Sequence, residues 1–134
     1  MENLESVSNN SAVADVLQNG FASRTRTHAE ILARDYEIKN PAQVAEFIGE
    51  NLFLLELLEE IPSEIFVYFG NDQRLQLEIL SEPDFPGSKE LWVSVLTELS
   101  AQEARQIMDK FDQNWWLGNL DRADCKLNIA LKYV

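Results

Sequence analysis

A single cysteine, a single histidine and the want of any long apolar run remove several classes of protein before a pattern is read. Cys125 alone cannot close an internal disulfide, which fits a reducing compartment. With no histidine nearby to activate it, it reads as an ordinary thiol rather than a nucleophile. His28 has no visible partners for metal binding or proton transfer. No apolar stretch approaches the roughly 18 residues needed to cross a bilayer, and Met1–Asn10 is polar where a secretory signal would be apolar, so a soluble, cytoplasmic chain is expected. Phosphate loops, dinucleotide fingerprints, nucleophile elbows and zinc spacings are all missing. No cofactor and no metal are therefore expected, and no catalytic residue can be named.

Positive charge is also scarce. Eleven Lys and Arg stand against 23 Asp and Glu, a formal net charge of −12. Seven basic and seventeen acidic residues fall in 40–134, against four and six in 1–39. The main body should repel nucleic acid and suits either a solvated acidic surface or a basic protein partner. The one basic cluster, Ser23-Arg-Thr-Arg-Thr-His28, is where nucleic acid could be touched.

What is present indicates one domain. The 134 residues, 46% hydrophobic and 25% charged, can bury a proper core. Residues 1–10 read as a loose tail and 11–134 as a single domain, made of a helical extension (11–39) and a core (40–134). Val13, Val16 and Leu17 sit at helical spacing in Ser11–Gln18, a helix too short to stand unless packed. Thr27-His-Ala-Glu30 fits a capping box opening a helix through Leu32 and Tyr36 to about Ile38. Asn40-Pro41 marks another helix start, with a helix to about Glu60. The second half of that helix, Leu52-Phe-Leu-Leu-Glu-Leu-Leu58, is apolar nearly all round and needs cover on more than one side, from its own domain or from another chain. Glu56, Glu59 and Glu60 would lie at its carboxyl end, against the helix dipole. Pro62–Phe69 reads as a short separate helix in preference to a strand, stopped by Gly70.

Three runs alternate as strands: Arg74–Leu80, with Leu75, Leu77 and Ile79 inward; Leu91–Glu98, with Leu91, Val93 and Val95; and Lys126–Tyr133, with Leu127, Ile129 and Leu131. Ser81–Glu90, with two prolines and a glycine, is expected to be an exposed mobile loop. Ser100-Ala-Gln-Glu103 is a second capping box, opening a helix whose stripe is Ala104, Ile107, Met108, Phe111 and Trp115. Gly118 should end it in a left-handed cap, with a polar connection from Asn119 to Cys125. The fold class expected is α+β: N-terminal helices packed around a small three-stranded antiparallel sheet (β-β-α-β), covered on one face by a helix, with the last strand beside the first.

Asp109, Asp112, Asp121 and Asp124 gather carboxylates without the ligand ladder of a calcium loop, and read as a solvated face. Adjacent helical side chains diverge by about 100°, so if Trp115 joins the core stripe, Trp116 points elsewhere. Trp116 is thus a candidate partner contact, with Trp92 and Leu96 on the far sheet face and Phe53 and Leu57 on the apolar helix.

The run Leu99-Ser-Ala-Gln-Glu-Ala-Arg105, the segment Lys110-Phe-Asp-Gln-Asn-Trp-Trp-Leu117 and the closing Lys126-Leu-Asn-Ile129 strand together resemble a family of small uncharacterised bacterial proteins. The likeness covers about 51–134, leaving 1–40 as an extension. It implies a fold, no catalytic residue, and to a slight degree an antitoxin-like role. Two functions follow as expectations. One is a non-enzymatic, acidic protein-interaction module that binds another protein or itself. The other is an antitoxin-like regulator that masks a basic partner while Arg24, Arg26 and His28 touch DNA.

Overall fold

The computed structural model describes residues 30, 32–82 and 84–134. The expected tail, the Ser11–Gln18 helix, the Thr27 cap and the basic segment Arg24, Arg26 and His28 lie outside them. Residues 32–35 are helical and end on a bond from the Tyr36 amide to the Leu32 carbonyl. There the chain departs from expectation: it leaves the helix before Ile38, and Glu37–Ile38 forms a short strand, β1. Asn40 takes a left-handed conformation (φ 50°) before Pro41 opens α1, Pro41–Glu50. The Asn40 side chain makes no cap. Its carbonyl accepts from the amides of Gln43 and Val44 instead.

The single helix expected to reach Glu60 is broken, and the break expected at Pro62 is absent. Asn51 interrupts the first helix: its side-chain amide donates to the Phe47 carbonyl, and its own carbonyl accepts from the Leu54 amide. Helix α2 then runs unbroken from Leu54 to Phe69, with Pro62 inside it. Proline in a helix interior leaves the carbonyl four residues earlier without its usual donor. That carbonyl is Leu58's, and the buried Tyr36 hydroxyl donates to it at 2.7 Å. The defect is thus repaired from outside the helix. Glu56 and Glu60 consequently lie in the first half of α2 rather than at its carboxyl end. Gly70, at φ 106°, closes the helix with its amide on the Phe66 carbonyl, a conformation open to residues without a Cβ.

Strands β2 (Arg74–Glu82) and β3 (Phe85–Thr97) form an antiparallel hairpin. They extend through the segment expected to be a loose loop. Its extra residues are absorbed as a register shift, Ser81 pairing with Lys89 and Glu82 with Phe85. Helix α3, Ala101–Phe111, carries the expected capping box: the Ser100 hydroxyl accepts from the Glu103 amide at 3.2 Å while the Glu103 carboxylate accepts from the Ser100 amide.

Beyond Phe111 the helix widens into a π turn, Asp112–Trp116, then tightens through Leu117–Asn119 into a short helix α4, Leu120–Ala123. Gly118 is therefore no terminator. Chain reversal falls to Asp124 and Cys125, both left-handed at φ 48° and 60°. Strand β4, Leu127–Tyr133, ends the fold.

The sheet corrects the expected one in strand number, order and sense. Four strands lie in the order β1-β2-β3-β4, with β1 parallel to β2, β2 antiparallel to β3, and β4 parallel to β3. The far side of β2 is occupied by β1, and the α3 crossover sets β4 beside the strand that precedes the helix, as parallel connections do. The chain is α+β, with a four-stranded mixed sheet.

One cluster forms the core. Leu75, Leu77, Leu91, Val93, Val95 and Leu127 meet Val44, Phe47 and Ile48 of α1, six aliphatic residues of α2, and Met108 and Phe111 of α3. The apolar α2 is covered by its own chain: Leu54, Leu57, Leu58, Ile61 and Ile65 are fully buried. Leu32 and Tyr36 belong to the same cluster, so the described end of the N-terminal segment is part of the core. Ile129, Leu131 and Ile79 are half-buried at its edge.

Candidate interaction site

The core takes the odd-numbered side chains of the strands, so the even-numbered ones share the opposite face. Register sets them in rows: Arg74, Gln76, Glu78, Leu80 and Glu82 on β2; Glu90, Trp92, Ser94 and Leu96 on β3; Asn128, Ala130 and Lys132 on β4. None of these belongs to the core cluster. Polar side chains tie the rows together. Arg74 pairs with Glu37 of β1 at 2.7 Å, Lys132 Nζ donates to Gln76 Oε1 at 2.9 Å, and Asn128 Nδ2 donates to Glu90 Oε1 at 3.0 Å. The Arg74 guanidinium holds the Glu37 carboxyl below the usual carboxylate range.

At the hairpin end this network gives way to an apolar spot. Glu78 pairs with Trp92 and Leu80 with Glu90, so Trp92 and Leu80 are diagonal neighbours on one face. Leu80 is 45% exposed and Trp92 half-buried. With Ser81, Glu82, Ser88 and Glu90 they line a hollow of about 450 Å³. An indole beside two carboxylates can take an apolar or cationic side chain on the ring and an ammonium or guanidinium at its rim.

The other expected contact residues are scattered. Leu57 is fully buried and Trp116 and Leu96 are each 6% exposed, so none of the three offers surface. The tryptophans have exchanged places for a geometric reason. A π turn bonds residue i+5 to i, as the Leu117 amide does to the Asp112 carbonyl, and the extra residue shifts the phase so that Trp116 is the more buried of the two. Trp115 is only partly buried, 5.7 Å from the Phe111 ring, and stacks on Trp116 with centroids 6.2 Å apart. Nothing in the residue types marks the extra residue in that turn.

Phe53 is half exposed, in the turn between α1 and α2 within the helix layer, away from Trp92. It lines a shallow hollow with Asp121, Arg122 and Asp124. Arg122 is committed there: its guanidinium grips both oxygens of Glu60 at 2.7 and 3.0 Å, and this holds the Glu60 carboxyl below its ordinary range. Among the described residues no three His, Cys, Asp or Glu side chains converge as metal ligands. Burial, and secondarily the charge of Asp109, raises the Asp112 carboxyl.

One further hollow was not legible in the sequence. About 470 Å³ in volume, it is lined by Leu32, Ala33, Tyr36, Ile38, Val44 and Ile48, among others. Its residues come from three elements, and the short β1 that closes it replaces an expected helix end. The Tyr36 hydroxyl is already spent on Leu58, which leaves the lining almost wholly apolar. Compared with known proteins, the chain matches no family model, no curated protein and no solved structure.

Proposed function

We propose that this chain is a non-enzymatic protein-interaction module that docks a basic segment of another protein on the Trp92–Leu80 end of its sheet. The observation that carries the reading is the pairing of an accessible aromatic and aliphatic spot with Glu82 and Glu90 at its rim. Aromatic anchors ringed by polar groups are where binding energy concentrates. A body of net charge −12 would draw a basic partner in and favour fast association at low salt.

Selection from a displayed library of short random peptides against the full chain provides the test. Enriched sequences should carry Arg or Lys beside an apolar residue, bind less tightly as salt is raised, and lose binding to Trp92→Ala. Peptides without basic bias, or peptides that bind Trp92→Ala and wild type equally, refute the assignment.

A further inference from the structure

Among the described residues no strand pairs with the outer edge of β4. Two bonds fix its phase: the Leu91 amide donates to the Lys126 carbonyl at 2.8 Å, and the Val134 amide donates to the Thr97 carbonyl at 3.0 Å. In a parallel ladder this pattern turns the backbone groups of Asn128, Ala130 and Lys132 toward β3, and those of Leu127, Ile129, Leu131 and Tyr133 outward. Those outward amides and carbonyls have no backbone partner among the described residues.

Proteins blunt such edges with short strands, bulges, proline or an outward lysine. The β1–β2 side of this sheet uses two of these devices, a strand of 2 residues and a register shift at Ser81/Glu82. The β4 side uses none. It runs 7 residues in unbroken register and contains no proline. Its only charged side chain, Lys132, reaches back across β3 to Gln76, and to Glu78 at 3.9 Å, instead of over the edge. In an acidic chain, β4 also carries no carboxylate at all.

From this we infer that two copies of the chain join edge to edge through β4, antiparallel, about a two-fold axis at Ala130. That register is self-complementary. Leu127 faces Tyr133 of the second copy and Ile129 faces Leu131, each pair exchanging an amide and a carbonyl through the outward groups. On the core side the half-buried Ile129 and Leu131 and the exposed Tyr133 would be covered by their counterparts. On the outer face Asn128 would face Lys132, and the two Ala130 methyl groups would meet at the axis, where a small residue lets the strands approach. The interface makes no use of Trp92 or Leu80, so it stands or falls separately from peptide docking.

Sedimentation equilibrium of the full chain should give twice the 15.4 kDa monomer mass at high concentration and the monomer on dilution. Amide exchange followed by NMR should show Leu127, Ile129, Leu131 and Tyr133 gaining protection with concentration, while Asn128, Ala130 and Lys132 are protected throughout. Ala130→Glu sets two carboxylates face to face on an open surface. It should weaken the dimer at least about tenfold with an unchanged circular dichroism spectrum, while Ala130→Ser dimerises as wild type does. A monomer up to millimolar concentration overturns the inference. So does a dimer that ignores Ala130→Glu, or one that protects amides elsewhere and leaves those four exchanging freely.

Discussion

Replacing Tyr36 by phenylalanine tests whether one hydroxyl is what allows a proline inside the most buried helix. The ring stays and a single donor goes. The Leu58 carbonyl, already without an amide from Pro62, would then be left bare in a site where Leu58 is fully buried. A buried acceptor stripped of its partner costs about 1–3 kcal/mol, a large share of the roughly 5–15 kcal/mol that holds a domain of this size together. The single mutant does not prove the mechanism, because any loss at a buried tyrosine could look alike. The decisive experiment is the double-mutant cycle with Pro62→Ala, which restores an amide four residues after Leu58. Urea denaturation followed by tryptophan fluorescence supplies the four stabilities. In the Pro62→Ala background Tyr36→Phe should cost less by about 1 kcal/mol, within the range found for directly coupled groups. Equal costs in the two backgrounds would show that the hydroxyl and the proline act independently, and the reasoning would fail.

An independent arm uses pH. Burial, assisted by the nearby Asp35 charge, raises the Tyr36 phenol well above its ordinary value of 10.0. The folded chain therefore keeps the proton where the unfolded chain releases it. The stability tied to the neutral phenol is full below pH 10 and is lost as pH rises through and beyond it, at up to about 1.4 kcal/mol per pH unit. Wild type should fall more steeply than Tyr36→Phe above pH 10, and parallel curves would contradict the assignment.

Three smaller predictions rest on local geometry. Ser100→Ala removes the hydroxyl that accepts from the Glu103 amide and should cost about 1 kcal/mol by chemical denaturation, with the slope of the transition unchanged. Cys125 holds a left-handed conformation at φ 60°, so Cys125→Gly should stabilise the fold by up to about 1 kcal/mol despite glycine's freer unfolded state. Trp116 is buried in the core and Trp115 only partly so; Trp116→Ala should cost about 3–5 kcal/mol and Trp115→Ala clearly less, and the opposite order would return Trp115 to the stripe read from the sequence.

The expectations that held are those carried by period and by caps. Alternation in Leu75–Ile79, Leu91–Val95 and Leu127–Leu131 assigned the strands and their inner faces, because a side chain's face in a strand depends only on its parity. The Ser100 box announced α3 because both of its bonds are local. The expectations that failed did so where a distant group decided the outcome. Pro62 reads locally as a helix start, and the Leu58 carbonyl it leaves open is met by a hydroxyl twenty-six positions from it along the chain (62 − 36). Glu37 and Ile38 read as a helix end because their partner, the free edge of β2, is visible only once the hairpin exists.

The same division governs the candidate surface. Among the five expected contact residues, parity placed Trp92 on the outer face of the sheet. Helical spacing misassigned Trp116, because one extra residue in a π turn shifts the phase of everything after it by one residue, about 100°. Leu96 shows that parity alone is not exposure: it lies on the outer face yet is almost wholly buried, set in register between Arg74 and Lys132. An accessible apolar side chain on this sheet therefore depends on what its cross-strand neighbours do with their own side chains. Lys132 reaches toward Gln76, and Asn128 toward Glu90. Leu80 lies beyond the reach of β4 in the ladder, and this leaves the hairpin end of the sheet with an exposed apolar side chain.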